Sequence, residues 1–323
     1  MPSADAGCGR WQRGVVRFGA GLVALSLVGC ATAPAPSPPP QPPTVRPDVV
    51  VQAPAPVPKR LPRVGLALGG GAARGFAHVG VIQVLEQNGI RPDLVVGTSA
   101  GALVGALYAS GKDAAELLRA AESMDEAALT DWTLPFGQRG VLRGQAVARY
   151  VSAQVQGRPI EALPLPLGVV ATDLATGEGI LFRRGDTATA VRASSAVPGV
   201  FQPVEIAGRE YVDGGLVAPV PVQYARQMGA ELVIAVDISS APQGQSTTDV
   251  LRVMLQTFAI MGQTINRHEL KGAQVVVRPS LTGVGGAAFS ERQRAIAAGR
   301  AAMQEALPRL RQQLDSWRPP TPP

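Results

Sequence analysis

Residues 94–109, LVVGTSAGALVGALYA, join two apolar runs through a short turn of small residues. Leu94 to Val96 is typical of a short buried strand, and the apolar residues that follow Ala100 have helical spacing. The turn Gly97-Thr98-Ser99-Ala100-Gly101 places a serine between two glycines. A sharp strand-to-helix turn of this kind can expose a serine nucleophile, but a tight turn that only packs can have the same sequence.

Strands and helices are predicted to alternate on both sides of this turn. This alternation predicts an α/β fold with a mostly parallel central sheet that helices cover on both faces. The predicted strands are residues 64–68, 94–96, 167–171, 180–182, 232–236 and 275–277, and the predicted helices are 75–87, 100–110, 113–122, 250–265 and 292–314.

The composition suits one large α/β domain and gives little support to a role in binding nucleic acid. The chain has 323 residues, of which 46% are hydrophobic and 17% charged, with a formal net charge of +6. No run of arginines with interleaved aromatic residues occurs, so we expect no nucleic-acid partner. A mildly basic surface would favour anionic lipid headgroups.

Residues 1–29 are predicted to be a signal peptide. A basic flank precedes an apolar stretch, residues 18–28, that is too short to span a bilayer as a helix. Leu27-Val28-Gly29-Cys30 then resembles the lipobox of bacterial lipoproteins, in which the cysteine is acylated; the alternative is a plain signal peptide. This pattern predicts a lipid-anchored protein of the cell envelope, and Ala31 rather than Asp after the cysteine favours the outer membrane of a Gram-negative cell, facing the periplasm.

The rest of the chain divides into three parts. Residues 30–62 start with the lipidated cysteine and continue as a proline-rich tether that cannot build a core. Residues 63–316 contain the predicted strands and helices and form the folded domain. Residues 317–323 are predicted to be a disordered, proline-rich tail.

A glycine-rich loop, Gly69-Gly70-Gly71, follows the first strand and precedes Arg74 and the first helix. Its backbone N–H groups could bind a phosphate or hold the oxyanion of a tetrahedral intermediate. The loop lacks the Gly-Lys-Ser/Thr ending of a P-loop and the spacing of a dinucleotide fingerprint. The oxyanion hole is therefore the better interpretation.

A serine nucleophile needs a general base. The two histidines, His78 and His268, do not lie in a loop late in the chain, where an α/β-hydrolase histidine is expected, so a Ser-His-Asp triad is disfavoured. A carboxylate base is the alternative. Asp173, Asp213 and Asp237 each end an extended segment, and the sequence pattern leaves the choice among them open.

Four blocks in the same order make residues 63–310 similar to bacterial patatin-like phospholipases, a family that also includes plant patatins and the catalytic domain of neuropathy target esterase. Each block is weak alone, and the ordered set is specific. The blocks are residues 69–80, with Arg74 and His78; residues 97–101; residues 193–204, ASSAVPGVFQPV; and Asp213-Gly214-Gly215, leading to Pro219 and Pro221.

The resemblance implies a three-layer α/β/α fold and a Ser-Asp dyad. Ser99 matches the nucleophile of the family and Asp213 its general base. The matching oxyanion loop is Gly69 to Gly71 with Arg74, and His78 is left with a structural role. The supporting glycines are Gly97, Gly101, Gly214 and Gly215. Ala218 is a departure, because many relatives have Asn there, and its effect on the dyad loop stays open.

The resulting hypothesis is a serine esterase that hydrolyses phospholipid or lysophospholipid acyl esters at the cell envelope. We expect no cofactor and no metal, and the sequence identifies no protein partner. The alternatives are a thioesterase or lipid acyltransferase with the same dyad, a non-catalytic lipid-binding lipoprotein, and a nucleotide-binding protein. Trp132 is expected to pack in the core, with a lipid interface as the alternative.

Overall fold

The computed structural model describes residues 60–132, 139–239, 248–285 and 289–319. These residues belong to one compact unit, residues 57–323. The predicted signal peptide, Cys30 and nearly all of the tether lie outside the described residues, and those assignments stay predictions. The last helix ends at Ser316, and the ring of Trp317 lies beneath the guanidinium of Arg60, 4.8 Å from it.

The described strands include all six that the sequence predicts, each within two residues of the expected start and end. The strands are β1 Val64–Leu68, β2 Leu94–Thr98, β3 Gly140–Leu142, β4 Leu167–Asp173, β5 Gly179–Phe182, β6 Gly199–Phe201, β7 Val204–Ile206, β8 Arg209–Asp213, β9 Leu232–Val236 and β10 Val275–Val277. Among these described strands, the four that the sequence did not predict are β3, β6, β7 and β8, of three to five residues each.

Among the described residues, the central sheet has the order β10-β9-β1-β2-β4-β8-β7, with β5 also paired to β4. The five strands from β10 to β4 are parallel, whereas β5 and β8 are antiparallel to β4, and β7 is antiparallel to β8. The prediction of a mostly parallel sheet is therefore confirmed. Strands β3 and β6 form a separate two-stranded sheet.

The predicted helices are all present, and four further helices join them. The helices are α1 Phe76–Gln87, α2 Ala100–Ala109, α3 Ala114–Ser123, α4 Glu126–Leu129, α5 Gln145–Val155, α6 Thr187–Ser194, α7 Val222–Gln227, α8 Val250–Glu269 and α9 Arg292–Ser316. The four further helices are α4 to α7. None of the helices within the described ranges is both long enough and apolar enough to cross a bilayer.

Helices cover both faces of the sheet. Successive side chains of a strand point to opposite faces. Leu66 and Leu68 of β1 accordingly join the core that contains α1, α2 and α9, whereas Ala67 joins a second core that contains α7. The three-layer α/β/α architecture is confirmed.

Helix α9 lies directly against α1, and two glycines allow the contact. A Cβ atom at Gly80 of α1 would collide with the backbone carbonyl of Ile296, and one at Gly299 of α9 would collide with that of Ala77. The two backbones therefore touch with no side chain between them. This contact fixes α9 on the same face of the sheet as the helix that follows the glycine loop.

Candidate active site

Ser99 stands on a strained turn between β2 and α2. Its backbone angles are φ 53° and ψ −121°, which a non-glycine residue rarely adopts. A Cβ atom at Gly97 would collide with the carbonyl of Gly101, and one at Gly101 would collide with that of Leu68. Both glycines are therefore sterically required, and the turn has the geometry of a nucleophile elbow.

The register of the sheet brings Ser99 and Asp213 to the same level. Thr98 of β2 lies beside Val170 of β4, so Ser99 follows at the level of Ala171. Asp213 of β8 pairs with Ala171 from the other side of β4. The antiparallel β8 thus delivers its last residue to the edge of the sheet where the parallel strands end, and the Ser99 hydroxyl lies near enough to the Asp213 carboxyl to lower its pKa.

The Asp213 carboxyl is buried, with 6% of its surface exposed. Burial raises the pKa of Asp213 to about 6, against the opposing effects of hydrogen bonds from the Gly215 amide and the Ser99 hydroxyl. The Gly215 N–H donates to Oδ1 at 2.7 Å, which fixes the carboxylate. A buried carboxylate of this pKa is ionised at neutral pH and still basic enough to accept a serine proton.

The two other candidate carboxylates have structural partners. Asp173 forms an ion pair with Arg209 at 3.1 Å and accepts hydrogen bonds from two backbone amides of the turn after β4. Asp237 faces Arg278 at 3.4 Å and accepts from the Ser239 amide. Of the three aspartates, the one that contacts Ser99 is Asp213.

Ser194 holds the backbone of the nucleophile, a role that sequence reasoning did not assign. The Ser99 N–H donates to Ser194 Oγ at 2.8 Å, and Ser194 Oγ donates to the Val170 carbonyl at 2.5 Å. The chain of bonds ties the strained turn to the centre of β4. The sequence signal for this role was the place of Ser194 in the block Ala193-Ser194-Ser195. In the structure, Ser194 lies fully buried at the end of α6.

Ala218 holds the loop after Asp213 in place through its backbone. Thr98 Oγ1 donates to the Ala218 carbonyl at 2.8 Å, and the Ala218 N–H donates to the Gly214 carbonyl at 2.9 Å. The Ala218 side chain is fully buried in the core. The residue before the nucleophile is thereby linked to the loop after Asp213 without an amide side chain at position 218.

The glycine loop lies against the nucleophile, but two of its amides are already engaged. A Cβ atom at Gly70 would lie 3.2 Å from that of Ser99. The Gly69 N–H donates to the Val236 carbonyl at 3.0 Å, and the Gly70 N–H donates to the Pro219 carbonyl at 2.9 Å. The expectation that all three glycine amides meet an oxyanion therefore does not fit their hydrogen bonds, and the Gly71 amide is the remaining donor of the three.

His78 and Arg74 brace this loop. His78 is fully buried, and its Nε2 lies 2.8 Å from the Gly69 carbonyl, so Nε2 carries the proton and donates. Burial lowers the pKa of His78 to about 4, which keeps the ring neutral. Arg74 Nε donates to the Gly71 carbonyl at 3.2 Å, and burial lowers its pKa against the attraction of Asp237.

An apolar cavity of about 290 Å³ opens beside Ser99. Among the described residues, no charged side chain lines it. Its walls come from the segment that follows the glycine loop and from α1, α2, α3, α5 and the β3–β6 sheet, including Phe76, Leu103, Leu107, Met124, Val147 and Phe201. A search of the described ranges for three or more neighbouring histidine, cysteine or acidic residues found no group that could hold a metal ion.

Comparisons with known sequences agree with the motif order. Residues 66–226 match the sequence profile described as patatin-like phospholipase. The chain is 39% identical over 197 residues to an uncharacterized NTE family protein of Mycobacterium bovis, covering 59% of this chain and 54% of that protein. It is 35% identical over 191 residues to patatin-like phospholipase domain-containing protein 6 of Mus musculus, covering 57% of this chain and 14% of that protein. The match thus spans about half of the mycobacterial relative.

A solved structure shares the fold. VipD from Legionella pneumophila superposes with a TM-score of 0.50 over 77% of this chain and 67% of that chain, at 16% sequence identity. At this identity the likeness concerns the arrangement of strands and helices alone.

Proposed function

Because residues 66–226 match the profile of patatin-like phospholipases, we propose that the chain is a lipid acyl hydrolase in which Ser99 is the nucleophile and Asp213 the general base. The observation that carries this proposal is the register of the sheet, which brings Ser99 on the strained turn and the buried Asp213 carboxyl to the same level on either side of β4. The substrates are phospholipids or lysophospholipids, and the bond cleaved is an acyl ester.

The reaction proceeds in two halves. Ser99 Oγ attacks the ester carbonyl while Asp213 accepts the hydroxyl proton, and a tetrahedral oxyanion forms. The intermediate collapses to an acyl-serine, and Asp213 returns the proton to the departing alcohol. Water then attacks the acyl-serine, Asp213 accepts one of its protons, and that proton returns to Ser99 Oγ as the fatty acid leaves.

The oxyanion is held by the Gly71 amide together with the amide of Ala100, which follows the nucleophile at the start of α2. The other two glycine amides are used to hold the loop in place. Neutral His78 and Arg74 are positioning residues, since each donates to a carbonyl of the loop. Pre-organised donors of this kind stabilise the developing negative charge more than flexible donors do, because they need no reorganisation during the reaction.

The apolar cavity supports a fatty acyl ester as the substrate. The lining residues that the structure describes include no charged group that could pair with a charged headgroup, so the acyl tail occupies the cavity and the headgroup stays at its mouth. A tail in the cavity places its ester carbonyl beside Ser99.

The cell envelope is the proposed location, and the support is the sequence pattern at Cys30. The acylated cysteine would hold the domain at the outer membrane, facing the periplasm, and the tether would let it reach substrate. Replacing Cys30 with serine is expected to leave an unlipidated precursor. An unmodified Cys30 in the mature protein, detected by mass spectrometry of the membrane fraction, would exclude the anchor.

The test of the dyad compares wild type, Ser99→Ala and Asp213→Asn on a short p-nitrophenyl ester and on a lysophospholipid. Both substitutions are expected to lower kcat/KM at least about 1,000-fold, because nucleophile and base act as a unit. Matched substitutions outside the site, Ser123→Ala and Asp315→Asn, are expected to leave it unchanged. A folded Ser99→Ala variant that keeps its rate would refute the mechanism, and acyl transfer to an added acceptor lipid would redefine the reaction.

The pH dependence is a second readout of the same proposal. Since the base must be ionised, kcat/KM of the wild type is expected to fall about tenfold per pH unit below about pH 6 and to level off above it. A profile with no ionisation between about pH 5 and 7 would exclude Asp213 as the base in the free enzyme.

A further inference from the structure

Helix α8 carries a row of exposed apolar side chains that the dyad does not use. Val250 is 86% exposed, Ile260 50%, Val253 49% and Met261 47%. These four residues are called the α8 face. Residues 253–266, which include three of these four residues, contain no ionisable side chain. An exposed helix of this composition is unusual in a water-facing position.

Two threonines of α8 beside the α8 face direct their hydroxyl groups to the backbone of the helix. Thr257 Oγ1 donates to the Val253 carbonyl at 2.9 Å, and Thr264 Oγ1 donates to the Ile260 carbonyl at 3.2 Å. Both hydroxyls therefore have a partner without any water. An environment with no hydrogen-bonding groups would leave neither of them unsatisfied.

Helix α8 borders the candidate active site at two places, the turn after Asp213 and strand β6 beside the apolar cavity. It packs against the turn Gly214–Leu216, which follows Asp213, and Gly262 lies beside Pro219. Toward its N-terminus, Leu251 and Met254 contact Gly199 of β6. Strand β6 continues into the wall of the apolar cavity. The α8 face therefore adjoins the side of the molecule where an acyl chain would enter.

Trp132 lies beside β3 of the β3–β6 sheet, whereas α8 lies beside β6. It is 73% exposed, so the expectation of core packing was wrong. It pairs with Leu142 of β3, which lines the cavity, and Val141 beside it is 38% exposed. Tryptophan is favoured at membrane–water interfaces because its ring is both apolar and polar.

Basic side chains flank the C-terminal end of the α8 face. Arg267, Lys271 and Arg278 line a cleft of about 510 Å³, and the one acidic residue in the described part of its lining, Asp237, is paired with Arg278. This arrangement complements an anionic headgroup layer. A second copy of this chain is the rival occupant, but it would bring the same basic cleft and a net charge of +6.

We propose that the α8 face docks on an anionic lipid bilayer, with its apolar side chains among the acyl chains and the basic cleft at the phosphates. This inference rests on the proposed function, since the bilayer is the source of the substrate. It assigns to α8 the task of holding the cavity mouth at the lipid surface.

A fluorescent label measures the environment of the α8 face directly. Position 8 and position 30 hold the two cysteines of the chain. In full-length protein carrying Cys8→Ser and Cys30→Ser, a polarity-sensitive dye is attached through Val253→Cys or, as the control on exposed α9, through Gln304→Cys. With vesicles of phosphatidylglycerol and phosphatidylcholine, the emission at position 253 is expected to shift to shorter wavelength and the emission at 304 to stay unchanged.

Two results would overturn the proposal. One is a water-like emission at position 253 while the protein is bound to vesicles. The other is a shift that occurs without vesicles and rises with protein concentration, which would assign the face to a second copy. Pure phosphatidylcholine vesicles are expected to give a shift at least about threefold smaller, and equal shifts would remove the role of the basic cleft.

Activity separates docking from chemistry. The double variant Val253→Glu/Ile260→Glu is expected to hydrolyse vesicle phosphatidylglycerol at least about tenfold more slowly and a soluble p-nitrophenyl ester at an unchanged rate. The control Ala301→Glu/Gln304→Glu adds the same charge to α9 and is expected to change neither; an equal loss in the control would overturn the proposal. If wild type cleaves no ester, the proposed function fails, whereas the fluorescence result still decides the docking.

Discussion

Helices α8 and α9 are the two longest in the described part of the chain, and they relate to the protein in opposite ways. Helix α9 has charged residues spread along its length and buries Ala295, Ile296, Gly299, Met303 and Leu310 against α1 and the sheet. Helix α8 buries only Gly262 and Asn266 and exposes an apolar row. The comparison teaches that an amphipathic helix need not direct its apolar side at its own core.

The largest difference is expected from adding one methyl group to the packed helix. In Gly299→Ala, the new Cβ meets the backbone carbonyl of Ala77, and two helices must separate to admit it. The free energy of unfolding is expected to fall by about 3 kcal/mol or more, at the upper end of overpacking effects. Urea denaturation measures it, and a loss under about 1 kcal/mol would mean that α1 and α9 are not in backbone contact.

Asp213 precedes the turn that packs against α8, and the substitution Asp213→Asn is expected to stabilise the folded protein. Folding raises the pKa of this carboxyl from 3.8 to about 6, so the folded state is penalised once pH rises through that window. Removing the charge should add about 2 kcal/mol at pH 7 while activity is lost. Thermal unfolding at pH 7 and pH 4.5 checks the sign: the advantage of the variant over wild type should shrink at the lower pH, and a constant advantage would exclude this cause.

The matched glycine of the other helix should behave in the opposite way to Gly299. At Gly262 a Cβ atom would lie 3.4 Å from Pro219 Cγ, an ordinary contact. Gly262→Ala is therefore expected to stabilise the protein by about 0.5–1 kcal/mol through helix propensity. The same urea titration compares the two variants, and a loss as large as that of Gly299→Ala would show that α8 is packed as closely as α9.

The smallest effect is expected on the α8 face itself. Ile260→Gln removes an apolar side chain that is already half exposed, so the free energy of unfolding should change by less than about 0.5 kcal/mol. The matched change on α9, Ile296→Gln, places an amide in the core and should cost several kcal/mol. Comparable losses in the two variants would show that a part of this protein covers the α8 face.

Long periodic segments were the part of the fold that could be predicted. Strands β1, β9 and β10 have the predicted bounds, and α8 and α9 extend the predicted ranges by a few residues. Elements such as α6, β6 and β7 were missed, because they are short and, unlike β1, β9 and β10, do not consist of a sustained apolar run. The antiparallel insertion of β8 beside β4 was also beyond reach, since pairing between distant segments leaves no local signal.

The candidate site divides in the same way. The turn around Ser99 could be predicted because its glycines are dictated by collisions within a short segment. The choice of Asp213 over Asp173 and Asp237 needed the family resemblance, because all three end extended segments. The engagement of the Gly69 and Gly70 amides and the bond from Ser99 to Ser194 depend on residues that are distant in the chain. Only the folded structure reveals them.

The positions that build the site have a consequence for how the protein reaches its active form. The glycine loop at 69–71, Ser99, Ser194 and Asp213 come from four separate segments joined by parallel and antiparallel pairing across β1, β2, β4 and β8. Contacts of such long sequence separation form late and slowly. Under the proposed function, recovery of esterase activity during refolding should therefore coincide with the last spectroscopic phase, and a partly synthesised chain that ends before β8 should have no lipid hydrolase activity.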